Sequence, residues 1–243
     1  MTREEVIAAL REAWQRGFRE VYFSGGEPML WRDGDYTLTE LIVETKRMGF
    51  FHVHVYTNGL LGIEPNADLV WVSMDGLPDT FKKRRGDYFH QVDCQIRTSG
   101  HPKIAIIYVI DRDTADGIEP FLEWVSHSTL PVLGVMFYFH TPYYGYDELF
   151  LTIAQRKPVI SRLLQCIRKG LPVMNSRAGL LVLQSGRWPR RFELAVVRDV
   201  EGESVCCRAP DATCVDCGYA ACTELTQFQR LKPSAVWNML RYW

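Results

Sequence analysis

Two kinds of hydrophobic pattern take turns along the first 170 residues. In residues 2–17, Val6, Ala9, Leu10 and Ala13 fall on one helical face. Thr2 and Glu5 stand at capping-box spacing there, and Gly17 closes the run. "REVYFSG" follows as a strand. "TLTELIVETKRMGF" then predicts a second helix, with Leu38, Leu41, Ile42 and Thr45 inward and Gly49 at its end. "FHVHVYTNG", "DLVWVSMDG", "PKIAIIYVI" and "PVLGVMFYFH" read as further strands. Between them lie a short helix or turn at 60–67, a polar stretch at 78–100 and a helix in "DGIEPFLEWVSHS". A longer helix, "QRKPVISRLLQCIRKG", comes next. From about 175 the pattern changes to irregular β in "NSRAGLLVLQSGRWPRRFELAVVRD", ahead of a cysteine-rich segment.

Strand and helix alternation argues for parallel βα units, and the almost wholly apolar strands argue for a sheet covered by helices. Several strands end in polar or glycine-bearing tips: "SGGEP", "TNG", "SMDG", "VIDRD" and "HTPYYG". In βα folds such tips converge on one rim, where ligands bind. At the first tip, Gly25 and Gly26 leave backbone bare for a close approach, and Glu27 sets a carboxylate beside it. Donors and an acceptor side by side suit a zwitterion such as an amino acid. Taken alone, Gly-Gly-Glu-Pro is equally an ordinary tight turn. Asn58, Ser73 and Asp75 are open to the same reading, as short polar side chains that cap turns.

Composition narrows the class. The 243 residues are 47% hydrophobic and 23% charged, with a net charge of −1, so no basic surface is offered to nucleic acid or membrane. The longest apolar runs are too short to cross a bilayer, and "MTREEVIAAL" is no signal peptide, so the expected compartment is the cytoplasm. Of seven cysteines, Cys94 and Cys166 stand alone, while Cys206, Cys207, Cys214, Cys217 and Cys222 crowd together. The spacing Cys207-x6-Cys214-x2-Cys217-x4-Cys222, with Cys206 as an alternative to Cys207, points to a thiolate metal site. Zinc and an iron–sulfur cluster suit it equally. The aromatic stretch 137–150 places His140, Tyr143, Tyr144 and Tyr146 near the rim, with Phe137 and Phe139 filling the barrel. "KKRR" at 82–85 reads as a solvated face, and His52 and His54 as packing against a helix.

The succession "FSGGEPML", "YTNG", "VSMDG" over residues 1–140 resembles the radical S-adenosylmethionine (SAM) superfamily. The resemblance implies a partial (β/α)6 barrel that binds SAM against a 4Fe–4S cluster. It implies that Gly25, Gly26 and Glu27, followed by Pro28, hold the methionyl amino group, and that Asn58 lines the rim. It places Ser73 and Asp75 near the ribose or substrate, and the backbone of Val135–Tyr138 beside the adenine. His140 and Tyr143 are expected to line the substrate cavity. The family's Cys-x3-Cys-x2-Cys triplet should precede the helix at Thr2, and these residues hold none. The expectation is therefore a barrel lacking its first strand, clipped at the N-terminus and unable as given to cleave SAM reductively.

The implied organisation is a core over 1–174 and a cysteine-rich extension over 175–243. That extension looks like a short SPASM or twitch segment, which favours an auxiliary 4Fe–4S cluster over zinc. A complete enzyme would take electrons from a ferredoxin or flavodoxin and abstract hydrogen from an unidentified substrate. The alternative is a non-catalytic SAM-fold binding protein stabilised by zinc or a cluster.

Overall fold

A computed structural model describes residues 1–141, 145–189, 192–205 and 216–242. Helix α1 (Arg3–Gln15) opens on a reciprocal capping box: Thr2 Oγ1 accepts the Glu5 amide, and Glu5 accepts the Thr2 amide at 2.8 Å. Strand β1 (Glu20–Phe23) follows, then a small ribbon of β2 (Arg32–Asp33) and β3 (Tyr36–Thr37). Helix α2 (Leu38–Arg47) is capped by Thr37 and Glu40 and buries Leu38, Leu41, Ile42 and Thr45. Strands β4 (His52–Thr57), β5 (Leu69–Ser73), β6 (Ile104–Ile110) and β7 (Val135–Phe139) complete one sheet, ordered β1-β4-β5-β6-β7, with every pair parallel. This is the parallel α/β arrangement expected from the alternation, and the partial barrel that the resemblance implies.

Helices α3 (Pro78–Arg85), α4 (Phe89–Thr98), α5 (Ile118–His127) and α6 (Ile153–Arg168) cover the outer face. The stretch 78–100, which reads as merely polar, thus forms two helices. They are anchored by Phe81 on α3 and by Phe89, Val92 and Ile96 on α4, all buried, and Phe81 meets Phe89 edge-on at 5.6 Å. Residues 60–67 turn without a helix.

Strand register separates two faces. Tyr22, His54, Tyr56, Trp71, Ile107 and Tyr138 share the inner one. Tyr108 and Phe137 share the outer one, where Tyr108 packs on Phe121 and Phe137 at 5.3 and 5.2 Å. Phe137 and Phe139 alternate with Tyr138 and so belong to the helix layer, not the lumen. His54 faces inward as well: Trp71 Nε1 donates to its Nδ1 at 3.2 Å, and the Tyr22 ring lies 4.5 Å away. It packs on lumen aromatics rather than on a helix. Burial, with His52 beside it, pushes its pKa down to about 3.

Within 175–199, where irregular β is expected, the described residues open with a helix and reach a strand only at Val196. Helix α7 (Arg177–Ser185) starts where Ser176 Oγ accepts the Gly179 amide, and it stops at Gly186 in the left-handed region, φ 65°. Further on, the hairpin β8 (Val196–Asp199) and β9 (Gly202–Val205) is extended. Helices α8 (Ala220–Gln229) and α9 (Pro233–Tyr242) end the described chain.

The outer edge of β7 is closed without another strand. Val135 donates to the Pro172 carbonyl and accepts the Met174 amide, while the Asn175 side chain accepts from Phe137 N–H and donates to its carbonyl. Phe139 N–H then donates to the Gly218 carbonyl. Each inserted group takes the place of a ladder partner, so the edge amides are satisfied.

Candidate functional site

At the tip of β1, Gly25 adopts φ 143°, where a side chain is strained. A Cβ built on Gly25 or on Gly26 would meet nothing within 4 Å. The two glycines therefore border open space, and their backbone is available to a ligand. Glu27 is half-buried and turns toward β4. Its Oε1 accepts from Thr57 Oγ1 at 2.8 Å and from Met29 N–H at 3.2 Å, and its Oε2 accepts from Asn58 N–H at 2.8 Å. No lysine or arginine pairs with it among the described residues. Pro28 is buried behind it, starting a single 3-10 turn. The carboxylate is fixed by neutral donors, and its charge has no opposite partner among the described residues.

Around the rim, Asn58 caps its own turn through Oδ1, which accepts the Leu60 amide at 2.8 Å. Ser73 ends β5, half-buried. Asp75 is 3% exposed and fully engaged. Its Oδ1 accepts Val109 N–H at 2.8 Å, and its Oδ2 takes Nε and Nη2 of Arg85, each at 2.6 Å. Burial pushes the Asp75 carboxyl up even against that guanidinium. Arg84 pairs likewise with the fully buried Asp111 at 2.7 Å. The basic run is thus not a plain solvated face: two of its four residues reach back to acids at the tips of β5 and β6.

Tyr138 points into the lumen, its ring 5.0 Å from Tyr219. Burial, reinforced by Tyr138 and Tyr22, holds the Tyr56 phenol well above its ordinary value, and burial with Tyr219 does the same for Tyr138. Phenols from β4 and β7 meet because the sheet curls. Tyr219 joins them from the C-terminal segment, a contribution nothing in its local sequence announces. His140 continues β7, donating its amide to Ile110, and its Nε2 lies 2.8 Å from Asp147 Oδ2. Tyr143 and Tyr144 lie outside the described residues.

Of the predicted thiolates, Cys206, Cys207 and Cys214 also lie outside the described residues. Cys217 Sγ accepts the Tyr219 amide at 3.5 Å, and Cys222 sits in the first turn of α8. Gly218 between them is required by packing: a Cβ there would stand 2.4 Å from Phe139 Cβ. Cys94 is exposed on α4 and Cys166 is buried on α6, both away from the strand tips.

No family model matches the chain. Probable GTP 3′,8-cyclases of Saccharolobus islandicus (strain M.14.25 / Kamchatka #1) and Saccharolobus solfataricus are 27% identical over 135 residues, covering 51% of this chain and 42% of theirs. Among solved structures, native anSMEcpe with bound AdoMet superposes with TM-score 0.57 at 19% identity, covering 77% of this chain and 58% of that one. Streptococcus suis SuiB bound to its precursor peptide SuiA gives TM-score 0.55 at 15% identity, covering 71% and 42%. The likeness to these structures is one of fold. The curated relatives and the solved structures together support a likeness to radical SAM proteins, in sequence over half of the chain and in fold over about three quarters of it.

The chain spans 42% of the length of the curated relatives it matches. The five described parallel strands place their tips around one mouth. Glu27 and the open glycines lie at one end of it, and Tyr138 and His140 at the other. Within the 135-residue match and beyond it, no helix among the described residues is long and apolar enough to cross a membrane.

Proposed function

We propose that this chain is the SAM-binding part of a radical SAM enzyme, with SAM seated at the tip of β1. One observation carries the reading. Glu27 is a fixed carboxylate without a cationic partner among the described residues, next to two glycines that face open space. An ammonium group supplies the missing charge, and the bare backbone accommodates the atoms attached to it. Structural neighbours with bound AdoMet and S-adenosylmethionine support the same ligand. With a 4Fe–4S cluster beside it, SAM held there would supply the radical chemistry that takes hydrogen from an unreactive carbon.

The chain's own residues hold and orient. Gly25, Gly26 and Glu27 take the methionyl amino group, with Pro28 fixing the turn and Asn58 beside it. Ser73 is the better candidate for the ribose, because Asp75 is already engaged by Arg85 and Val109. Tyr138 flanks the adenine and His140 the unidentified substrate, to which Tyr143, outside the described residues, is assigned from its sequence position. These 243 residues contain no Cys-x3-Cys-x2-Cys, so no residue here is assigned to the SAM-binding cluster and no reductive step is derived. Residues 175–243 are read as an extension whose Cys217 and Cys222, with Cys214 and Cys207 or Cys206, hold an auxiliary 4Fe–4S cluster. Ferredoxin or flavodoxin is the fitting electron donor.

Calorimetric titration with SAM tests the site. The wild-type chain binds, and Glu27→Gln weakens binding by about tenfold, the scale of one hydrogen bond to a charged group. Equal affinity in the two proteins removes Glu27 from the site.

A further inference from the structure

One side chain of the C-terminal segment reaches the mouth of the sheet. Tyr138 pairs in register with Val109, whose amide binds Asp75, so Tyr138 stands in the layer of the strand tips. Tyr219 packs on it, with ring centres 5.0 Å apart and planes at 46°. The Tyr56 phenol, from β4, lies within hydrogen-bonding reach of both. Tyr138 is 6% exposed, whereas Tyr56 and Tyr219 are half-buried. The phenol that keeps open surface beside β7 is therefore Tyr219, and Tyr138 stands behind it.

Tyr219 is held in place from both sides along the chain. Gly218 before it accepts the Phe139 amide at 3.0 Å and donates to Thr141 Oγ1 at 3.4 Å, so the turn is pinned to β7 and to the residues that continue it. A Cβ at Gly218 would stand 2.4 Å from Phe139 Cβ, so the turn lies directly against the strand. Ala220 after it is fully buried at the start of α8. A ring between two fixed neighbours presents its face without first having to be ordered. Aromatic faces take planar bases by stacking, whatever is attached to the base. Glu27 and the open glycines serve a charged amino group at the other end of the mouth and offer nothing planar.

We propose that Tyr219 supplies the aromatic face on which the adenine end of SAM stacks, with Tyr138 as its backing, so that the C-terminal segment completes the seat. The proposal rests on the SAM reading given above and adds a binding residue from outside the strand tips.

The test is calorimetric titration of the full chain with two ligands: SAM, and 5′-methylthioadenosine, which keeps the adenosine and lacks the amino acid. Tyr219→Leu keeps an apolar side chain on Tyr138 and removes the aromatic face. It is expected to weaken both ligands by the same factor, about tenfold, the scale of one base stacked on one ring. Tyr219→Phe keeps the face and is expected to bind both near the wild-type affinity. Glu27→Gln is expected to weaken SAM alone. Circular dichroism checks that each variant folds. A folded Leu variant that binds both ligands as tightly as wild type overturns the proposal. So does one that weakens SAM more than methylthioadenosine, because a loosened mouth harms both ends of SAM, whereas a lost stack harms only the shared adenosine. If the Leu variant does not fold, the Phe variant decides, and a tenfold loss there overturns the proposal because the face is still present. A wild-type chain that binds neither ligand overturns the SAM seat and this proposal with it. Unchanged SAM affinity in Glu27→Gln beside an equal loss of both ligands in Tyr219→Leu removes Glu27 from the seat and leaves Tyr219 in it.

Discussion

Two strand tips carry an acid beside a glycine, Ser24–Glu27 after β1 and Ser73–Gly76 after β5, and the fold uses them in opposite ways. Among the described residues Glu27 accepts only neutral donors, and its neighbours Gly25 and Gly26 face open space. Asp75 is closed in by Arg85 and Val109, and a Cβ on Gly76 would stand 2.8 Å from Thr80 Cβ. The second acid is an internal strut that ties β5 to β6 and to α3. The first has charge to spare. A motif of acid plus glycine is therefore a ligand site only where the charge lacks a partner and the glycine lacks a neighbour.

The largest effect should come from unpairing the strut. Arg85→Met leaves a buried carboxylate with one amide donor. Removing one member of a buried pair costs about 3–5 kcal/mol, and the lower end applies because Arg85 is open on one side. Melting temperature should fall by about 2–4 °C per kcal/mol for a chain of this size. SAM affinity measured below that temperature should change far less than in Glu27→Gln. If Arg85→Met instead abolishes SAM binding while leaving the melting curve in place, Asp75 belongs to the ligand and the contrast between the two tips is wrong.

A third acid sharpens the contrast. Glu224 on α8 also lacks a cation among the described residues, but it has no open space either. Its Oε1 accepts the Ser176 amide at 2.9 Å, and a Cβ on Gly179 would stand 2.1 Å from it. Burial pushes its carboxyl up to about 7. The folded state therefore keeps the proton longer than the unfolded chain, whose ordinary value is 4.5. The stabilisation is complete below pH 4.5 and is lost as pH rises toward 7. Glu224→Gln should match wild type in melting temperature near pH 4.5 and exceed it by a few degrees at pH 8. A constant difference across that range would mean that Glu224 does not titrate in the fold.

Which of these acids is free could not be read along the chain. The five strands of the sheet and their tips are legible, because apolar runs and glycine punctuation are local signals. Arg84 and Arg85 were not, because their partners Asp111 and Asp75 come from other strands, and a run of four basic residues carries no mark of that. Helix α7 was misread because Leu180, Leu181, Val182 and Leu183 mimic a buried strand. Only the Ser176 cap and the stop at Gly186 distinguish it. Tyr219 escaped because it packs on Tyr138, a residue distant in sequence.

The smallest expected effect is the one that best separates a ligand glycine from a packing glycine. Gly26 is not in the left-handed region, and a methyl group there meets nothing within 4 Å. Gly26→Ala should therefore shift stability by no more than about 0.5 kcal/mol, as an exposed substitution does. The same methyl group would stand where a ligand approaches the backbone, so SAM affinity should fall while the melting curve holds. A variant that melts early and binds normally would show that the turn at Gly26 is there for the fold, and that the open space beside it is only surface.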